Sequence, residues 1–341
     1  MSTRRPVAQA TILILLVGAL ATRYAIRAEV GSDVLDVTAA AIDRVLAGFN
    51  PYGVGYEESR PPGAPYPYGP LALLWYLPVA HLPRLAELLS ASFVVSILAL
   101  QGRFLGLAIY AATPAFVHTS VDGSNDTTLG LLIALTFLLA SHRPLLAGAV
   151  LAGAVAFKLS ALAWVPAFLL WGGWRVAAAF GAASVLFWSP VLFVWGPAAF
   201  IQSTAQANAI HRDMVWSLGA VLRDWLGETA VRALDTMRFA FGGLVAILTL
   251  AFVRTGDRAG AGTPDRTDAP RGRGAPDRAK GLDRVIVFGT LVYLVTLFGG
   301  TWATFAYFAA IAPVLCLRID DWLGLPTMPL VERAPAGASA D

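Results

Sequence analysis

The sequence predicts an all-α protein that crosses a membrane many times. Hydrophobic residues make up 57% of the 341 residues and charged residues only 14%, whereas a soluble domain carries about 25% charged residues. The apolar residues stand in long continuous runs, and the alternating pattern of a membrane β-barrel is absent. Because backbone polar groups in lipid must pair within their own segment, these runs are predicted to be helices.

Eleven apolar segments are candidate spans. They are 9–27, 69–82, 85–101, 104–121, 127–141, 144–157, 159–172, 176–195, 237–253, 285–299 and 301–317. Lysine and arginine are enriched on the cytoplasmic side. Arg4 and Arg5 therefore place the N-terminus in the cytoplasm, and the segment 254–284, with eight Lys and Arg residues, must lie there too.

Nine candidates lie between the N-terminus and segment 254–284, and an odd number of crossings would place the two on opposite sides of the membrane. Both can be cytoplasmic only if one candidate does not cross. Segment 69–82 is short, and Leu77-Pro78 interrupts it. We predict that this segment is a helix on the outer surface of the membrane. Ten spans result, with both termini cytoplasmic, in a multi-pass protein of the plasma membrane.

The domain organisation follows from this topology. We predict a main bundle (1–253) with outer loops 28–84, 118–126 and 196–236, a disordered basic cytoplasmic linker (254–284), a C-terminal transmembrane hairpin (285–325) and a flexible tail (326–341). The linker prediction rests on a composition rich in Gly, Pro and Arg with few apolar residues. The single cysteine, Cys316, allows no disulfide within the chain. A basic patch interleaved with aromatic residues is absent, which argues against nucleic-acid binding.

The first outer loop contains a predicted interfacial helix. Apolar residues between 34 and 46 share one face of a helical period. Asp33 stands just before this helix, either as its N-cap or as a general base at the membrane surface. Asp36 lies in the first turn, where the helix dipole stabilises a negative charge, and it is a second candidate base.

Three further polar groups are candidate site residues. Asp122, Asn125 and Asp126 lie in a loop denser in polar groups than a turn requires, although Asp126 also suits a helix cap. Lys158 stands between two apolar runs, where it either reaches the headgroups or binds an anion. His211 and Arg212 lie in the predicted outer loop 196–236, where they either take part in acid–base chemistry or are solvated charges.

These features together resemble the GT-C superfamily of membrane glycosyltransferases, and most of all glycosyltransferase family 87. The resemblance covers roughly residues 8–200 and rests on the order of short motifs. They are Asp33 with its amphipathic helix, GFNPYG (48–53), PYPYGPLALLWYLP (65–78), SVDGSND (120–126) and AFKLSALAWVP (156–166). Many relatives carry an aromatic residue shortly after the acid, where Val34, Leu35 and Val37 stand here, and no soluble outer domain follows the bundle.

The resemblance implies transfer of a sugar, such as mannose or another hexose or pentose, from a polyprenyl-phosphate donor to a lipid or glycan acceptor on the non-cytoplasmic face. Asp33 takes the proton of the acceptor hydroxyl, with Asp36 in reserve, and the anomeric centre is inverted. Lys158 and Arg212 meet the charge of the leaving phosphate. The implied substrate-binding residues are Asp122, Asn125, Asp126, Lys158, His211, Arg212, Tyr66 and Tyr68. No cofactor is required, although Asp33 with Asp122 or Asp126 can hold a divalent metal.

Three alternatives stay open. A lipid or solute transporter or flippase is the first, but such proteins often show internal repeats and charges in the middle of the bilayer. The others are a polymerase or ligase of surface polysaccharide and a non-catalytic assembly subunit. The clustering of polar residues at the ends of apolar segments favours an enzyme.

Overall fold

The computed structural model describes residues 4–26, 31–209, 218–259, 275–299 and 304–327. α-Helices dominate these ranges: α1 (Arg4–Ala25), α2 (Val34–Leu46), α3 (Pro70–Tyr76), α4 (Pro83–Leu100), α5 (Phe104–Ala112), α6 (Pro114–Thr119), α7 (Asp126–Ala140), α8 (Pro144–Phe157), α9 (Val165–Pro190), α10 (Pro197–Ala209), α11 (Leu218–Ala259), α12 (Ala275–Phe298) and α13 (Ala306–Trp322). Short 3₁₀ turns cover Leu77–Val79 and Leu159–Trp164, and a π turn covers Val191–Trp195. Two-residue strands, β1 (Gly55–Tyr56) and β2 (Ala64–Pro65), pair antiparallel.

Four of the described helical segments are long and apolar enough to cross a membrane. They are Pro6–Ala25, Pro83–Leu100, Leu159–Trp195 and Lys280–Phe298. Shorter apolar helices are Pro70–Val79, Asp126–Ala140, Pro144–Phe157 and Thr236–Leu248. The predicted helical fold is confirmed and the four helices are consistent with a membrane protein, whereas the bundle of ten spans and its orientation stay predictions.

The longest of these segments, Leu159–Trp195, has 37 residues and is not one straight helix. Gly173 interrupts it with a φ of +73°, a conformation that glycine adopts without steric cost. This break falls between the two apolar segments, 159–172 and 176–195, that the sequence separates.

The segment predicted as a surface helix is short in the structure. Pro70–Val79 is a helix of ten residues, about 15 Å long at 1.5 Å per residue. The hydrocarbon core of a bilayer is about 30 Å thick. This helix therefore has the length expected of a segment that does not cross.

The predicted amphipathic helix is present as α2. Its buried residues are Leu35, Val37, Thr38, Ala41 and Ile42. The predicted apolar face included Leu46 but not Leu35, and it is rotated slightly in the structure, where Leu46 is 66% exposed and Leu35 is buried. The apolar face packs on α3 and α4, so its burial comes from protein contacts.

The helices of the interior approach one another at glycines. A Cβ atom on Gly106 of α5 would lie 1.9 Å from the Cys316 carbonyl oxygen of α13, and one on Gly130 of α7 would lie 2.5 Å from the Ala309 oxygen. Small residues allow such close contacts between helices. α13, the last described helix, is thereby packed against both α5 and α7.

The predicted linker needs correction at both of its ends, whereas the predicted tail stays untested. α11 continues to Ala259 and α12 begins at Ala275, so both ends of segment 254–284 are helical and the disordered interpretation is wrong there. Residues 260–274 and 328–341 lie outside the described residues. The predicted outer loop 196–236 also contains a complete helix, α10.

Asp320 provides a stability test of the contact between α13 and α5. Its buried carboxylate accepts hydrogen bonds from the backbone amides of Leu105, at 3.0 Å, and Gly106, at 2.9 Å. Asp320→Ala leaves both amides without partners, and we expect a loss of about 1–3 kcal/mol in thermal unfolding of the detergent-solubilised protein. Asp321→Ala is the matched control. Its carboxylate is 30% exposed and pairs with Arg103 and Arg318, so its loss should cost less than about 1 kcal/mol. Equal losses would contradict this interpretation.

Candidate functional site

The start of the first predicted outer loop lies in backbone contact with the loop before α7. The Leu35 amide donates to the Gly123 carbonyl at 3.0 Å, and the Ser32 amide donates to the Asp122 carbonyl. A Cβ atom on Gly123, whose φ is +90°, would lie 2.7 Å from the Ser32 oxygen, and one on Gly31 would lie 2.7 Å from the Asp122 oxygen. The glycines therefore permit a contact that places Asp33 beside the polar loop 122–126.

Asp33 does not cap α2 through its side chain. Its Oδ2 atom accepts a hydrogen bond from the Arg60 backbone amide at 2.5 Å. The Val34 amide, the first of α2, donates to Ser32 Oγ at 3.4 Å. The interpretation of Asp33 as an N-cap is therefore wrong in this structure. The carboxylate instead connects the start of α2 to the segment that precedes Pro61, and it is 9% exposed.

Asp36 lines a cleft of about 510 Å³ between α2 and the start of α4, which we call the α4 cleft. Its lining residues are Asp36, His81, Leu82, Pro83, Arg84, Leu85 and Leu88. The cleft combines ionisable side chains with leucines. Arg84 also borders the contact between the loops, because its Nη2 atom would lie 2.8 Å from a Cβ atom on Gly31. The α4 cleft is thus adjacent to the loops that carry Asp33 and Asp122.

Lys158 forms a largely buried ion pair. Its Nζ atom lies 2.7 Å from Asp126 Oδ1 and donates to Asn125 Oδ1 at 2.9 Å, and its side chain is 13% exposed. The rings of Tyr68 and Tyr307 flank the ammonium, with centroids at 5.6 Å and 5.3 Å. The Lys158 side chain therefore binds protein groups, and the interpretation that it reaches the lipid headgroups is wrong. Asp126 is the first residue of α7, and its carboxylate pairs with Lys158.

Asp122 is a buried carboxyl with its own set of partners. The Ser124 amide donates to Oδ1 at 2.8 Å, and His118 Nδ1 lies 3.5 Å from Oδ2. Burial raises the pKa of Asp122 above its ordinary value, while the Ser124 hydrogen bonds and His118 oppose part of this shift. Desolvation dominates because it penalises the charged form.

The two predicted tyrosines lie in different environments. Tyr66 is fully buried and contacts the rings of Tyr52 and Tyr68 with centroids at 5.8 Å and 5.4 Å. Burial raises its pKa well above the usual value. Tyr68 is half-buried and reaches the Lys158 ammonium. The neighbouring Gly69 amide donates to the Phe157 carbonyl at 3.2 Å, which fixes this segment against the end of α8. Only Tyr68 is thus placed with the other predicted site residues.

His211 and Arg212 lie outside the described residues. Among the residues that are described, no group of three or more His, Cys, Asp or Glu side chains is arranged to hold a metal ion.

Two residues of this region escaped the sequence analysis. Glu87 is a buried acid within α4, and an ionisable residue inside an apolar segment is by itself an indication of a functional site. Tyr307 flanks Lys158 from α13, but nothing in the local sequence distinguishes it from the other aromatic residues of that segment.

The described residues form a mostly helical protein with four helices able to span a membrane, and with buried acids and a paired lysine where helix ends meet. No protein-family model, no curated protein and no solved structure matches the chain.

The raised pKa of Asp122 gives a pH prediction. A folded-state pKa above the unfolded value means that the folded protein binds more protons, so this residue lowers stability progressively as pH rises above about 4. Asp122→Asn removes the charge and keeps an oxygen for the Ser124 amide. We expect the melting temperature of the variant, relative to wild type, to increase between about pH 4 and pH 7. A difference that is constant with pH, or that shrinks as pH rises, would contradict the shift.

Proposed function

We propose that the protein is a membrane glycosyltransferase of the GT-C type, which transfers a sugar from a polyprenyl-phosphate donor to a hydroxyl group of a lipid or glycan acceptor on the outer face of the plasma membrane. The observation that carries the proposal is the position of Asp33. It stands between Ser32 and Leu35, whose backbone amides bind the Asp122 and Gly123 carbonyls, and its carboxylate accepts a hydrogen bond from the Arg60 amide.

Asp33 is the proposed general base. The hydrogen bond from the Arg60 amide fixes the orientation of its carboxylate, and an oriented base is what proton abstraction requires. The acceptor hydroxyl gives its proton to Asp33, and its oxygen forms a bond to the anomeric carbon. The bond between that carbon and the phosphate oxygen breaks, and the phosphate keeps the electron pair. A single displacement of this kind inverts the anomeric centre.

The α4 cleft suits the donor lipid. Arg84 and His81 supply basic groups for a phosphate, and leucines line the rest of the cleft. Leu85, Leu89 and Phe93 continue as exposed apolar side chains along α4, a surface on which a prenyl chain can lie. Since the charge of Lys158 is already matched by Asp126, Arg84 is the better candidate to meet the leaving phosphate, and Lys158 serves to hold the polar loop.

A transporter or flippase is the second candidate. It shares the need for a lipid-facing cleft, but its polar groups are expected near the middle of the bilayer. Glu87 lies four residues after Pro83, the first residue of α4, about 6 Å along the helix axis. Glu87, Asp126 and Lys158 therefore lie at or near helix ends, which favours an enzyme that acts at the membrane surface.

A deletion strain tests the enzyme. We expect it to accumulate a truncated glycan, detected by lipid and glycan analysis, and the wild-type gene to restore the full product.

Asp33→Asn should lower transfer by about 10²–10⁴-fold, the usual contribution of a general base, without lowering the amount of folded protein. Asp43→Asn is the matched control because Asp43 is exposed on the same helix. Asp36→Asn tests the reserve base. Full complementation by Asp33→Asn would remove Asp33 from the base role.

Cysteine labelling tests the proposed orientation. The native Cys316 is buried, so a cysteine introduced at Arg60 or at His142 can be followed by a membrane-impermeant thiol reagent in intact cells. Both positions are exposed in the structure. We expect labelling at position 60 from outside and at position 142 only after the membrane is opened. The reverse pattern would place Asp33 on the cytoplasmic side, where the proposed mechanism does not apply.

A further inference from the structure

Glu87 lies at the meeting point of three helices. Its side chain is 1% exposed. Oε1 accepts a hydrogen bond from the Tyr76 hydroxyl of α3 at 2.5 Å, and Oε2 accepts one from the Thr128 backbone amide of α7 at 3.1 Å. The Thr128 hydroxyl also contacts Oε1. A buried carboxyl with this many partners is a defined structural element, and the proposed transfer mechanism does not yet use it.

The amide that Glu87 binds belongs to the first turn of α7. The amides of a first turn have no partner within the helix, and the N-cap side chain ordinarily accepts one of them. Asn125 is the N-cap residue of α7, but its side chain makes no capping bond. Its Oδ1 atom binds Lys158 instead. Glu87 therefore performs the capping role from a different helix, which leaves Asn125 and Asp126 available to Lys158.

The hydrogen bonds around Glu87 also indicate its protonation state. Ser90 Oγ lies 2.7 Å from Thr128 Oγ1 and 2.8 Å from the Ala86 carbonyl. With the three contacts to Glu87, this makes five hydrogen bonds. Only four donor protons are available without one on Glu87, from the Tyr76 hydroxyl, the Thr128 amide, the Thr128 hydroxyl and the Ser90 hydroxyl. A proton on Glu87 completes the set. The chain then runs in one direction, from Glu87 to Thr128, from Thr128 to Ser90, and from Ser90 to the Ala86 carbonyl.

We propose that Glu87 is a positioning residue that, as a neutral carboxylic acid, caps α7 from α4 and thereby holds Asn125 and Asp126 against Lys158. Its role in sugar transfer rests on the proposed function, whereas its effect on Lys158 does not. The neutral form suits the site, because Asp126 already supplies the negative charge that the one nearby lysine needs, and a second buried charge would lack a partner.

Lysine labelling tests the effect on Lys158 without an activity assay. The chain has only two lysines, Lys158 and the exposed Lys280, so Lys280 is an internal standard for an amine-reactive reagent followed by mass spectrometry. We expect slow labelling of Lys158 in wild type. Glu87→Ala removes the cap and should raise the ratio of Lys158 to Lys280 labelling about fivefold, as expected for a typical lost cap. An unchanged ratio in folded Glu87→Ala protein would overturn the positioning role.

Glu87→Gln decides the protonation state, and it does so even if Glu87→Ala fails to fold. A glutamine amide can donate to Thr128 Oγ1 as the acid does, and its oxygen can still accept the Thr128 amide. We expect this variant to keep slow labelling of Lys158 and to lose an infrared carbonyl band of a protonated carboxyl that wild type shows at neutral pH. Rapid Lys158 labelling in Glu87→Gln, or no such band in wild type, would overturn the neutral acid.

Tyr76→Phe is the matched control. It removes one hydrogen bond to Glu87 but leaves the bond to the Thr128 amide, so Lys158 should stay protected. If it exposes Lys158 as much as Glu87→Ala does, the cap is not the cause and the proposal fails. In the transfer assay, Glu87→Gln should rescue what Glu87→Ala loses. Absence of transfer in wild type as well would count against the proposed glycosyltransferase, while the labelling result would still decide the role of Glu87.

Discussion

The ion pair between Lys158 and Asp126 is the interaction on which the arrangement of this region depends. A charge removed from water costs several kcal/mol unless a partner and hydrogen bonds compensate for it. Lys158 follows the last residue of α8, and Asp126 is the first residue of α7. Pairing them brings these two helix ends together, and the rings of Tyr68 and Tyr307 close the site from two further segments. An apolar bundle thus acquires a fixed polar centre at the ends of its helices.

The second constraint is the close approach of two loops at Gly31 and Gly123. Side chains at these positions would collide with the opposite backbone, so the contact depends on their absence. Its consequence is chemical, because the loop that carries Asp33 is held beside the one that carries Asp122. Two acidic residues from distant parts of the chain are thus held on adjoining loops, next to a cleft that combines Arg84 with leucines.

What the sequence predicts well is what local pattern determines. The helix over 34–46 follows from its apolar period, the shortness of 69–82 from its prolines, and the special nature of 118–126 from its density of polar groups. The partners of these groups could not be predicted, because they are distant in sequence. The amide that binds Asp33 is 27 residues away, and the threonine that binds Glu87 is 41 residues away. The composition of segment 254–284 also gave a wrong prediction for its two ends, which belong to α11 and α12.

Two of the described helices obtain a capping acceptor from a side chain of another helix. α7 obtains its cap from Glu87 on α4, and α5 obtains one from Asp320 on α13, 214 and 215 residues later in the chain. During synthesis, the first turn of α7 can be completed as soon as α4 is present. The amides of Leu105 and Gly106, by contrast, must wait for the last described helix. A chain that stops before Asp320 therefore leaves the Leu105 and Gly106 amides without the carboxylate that caps them.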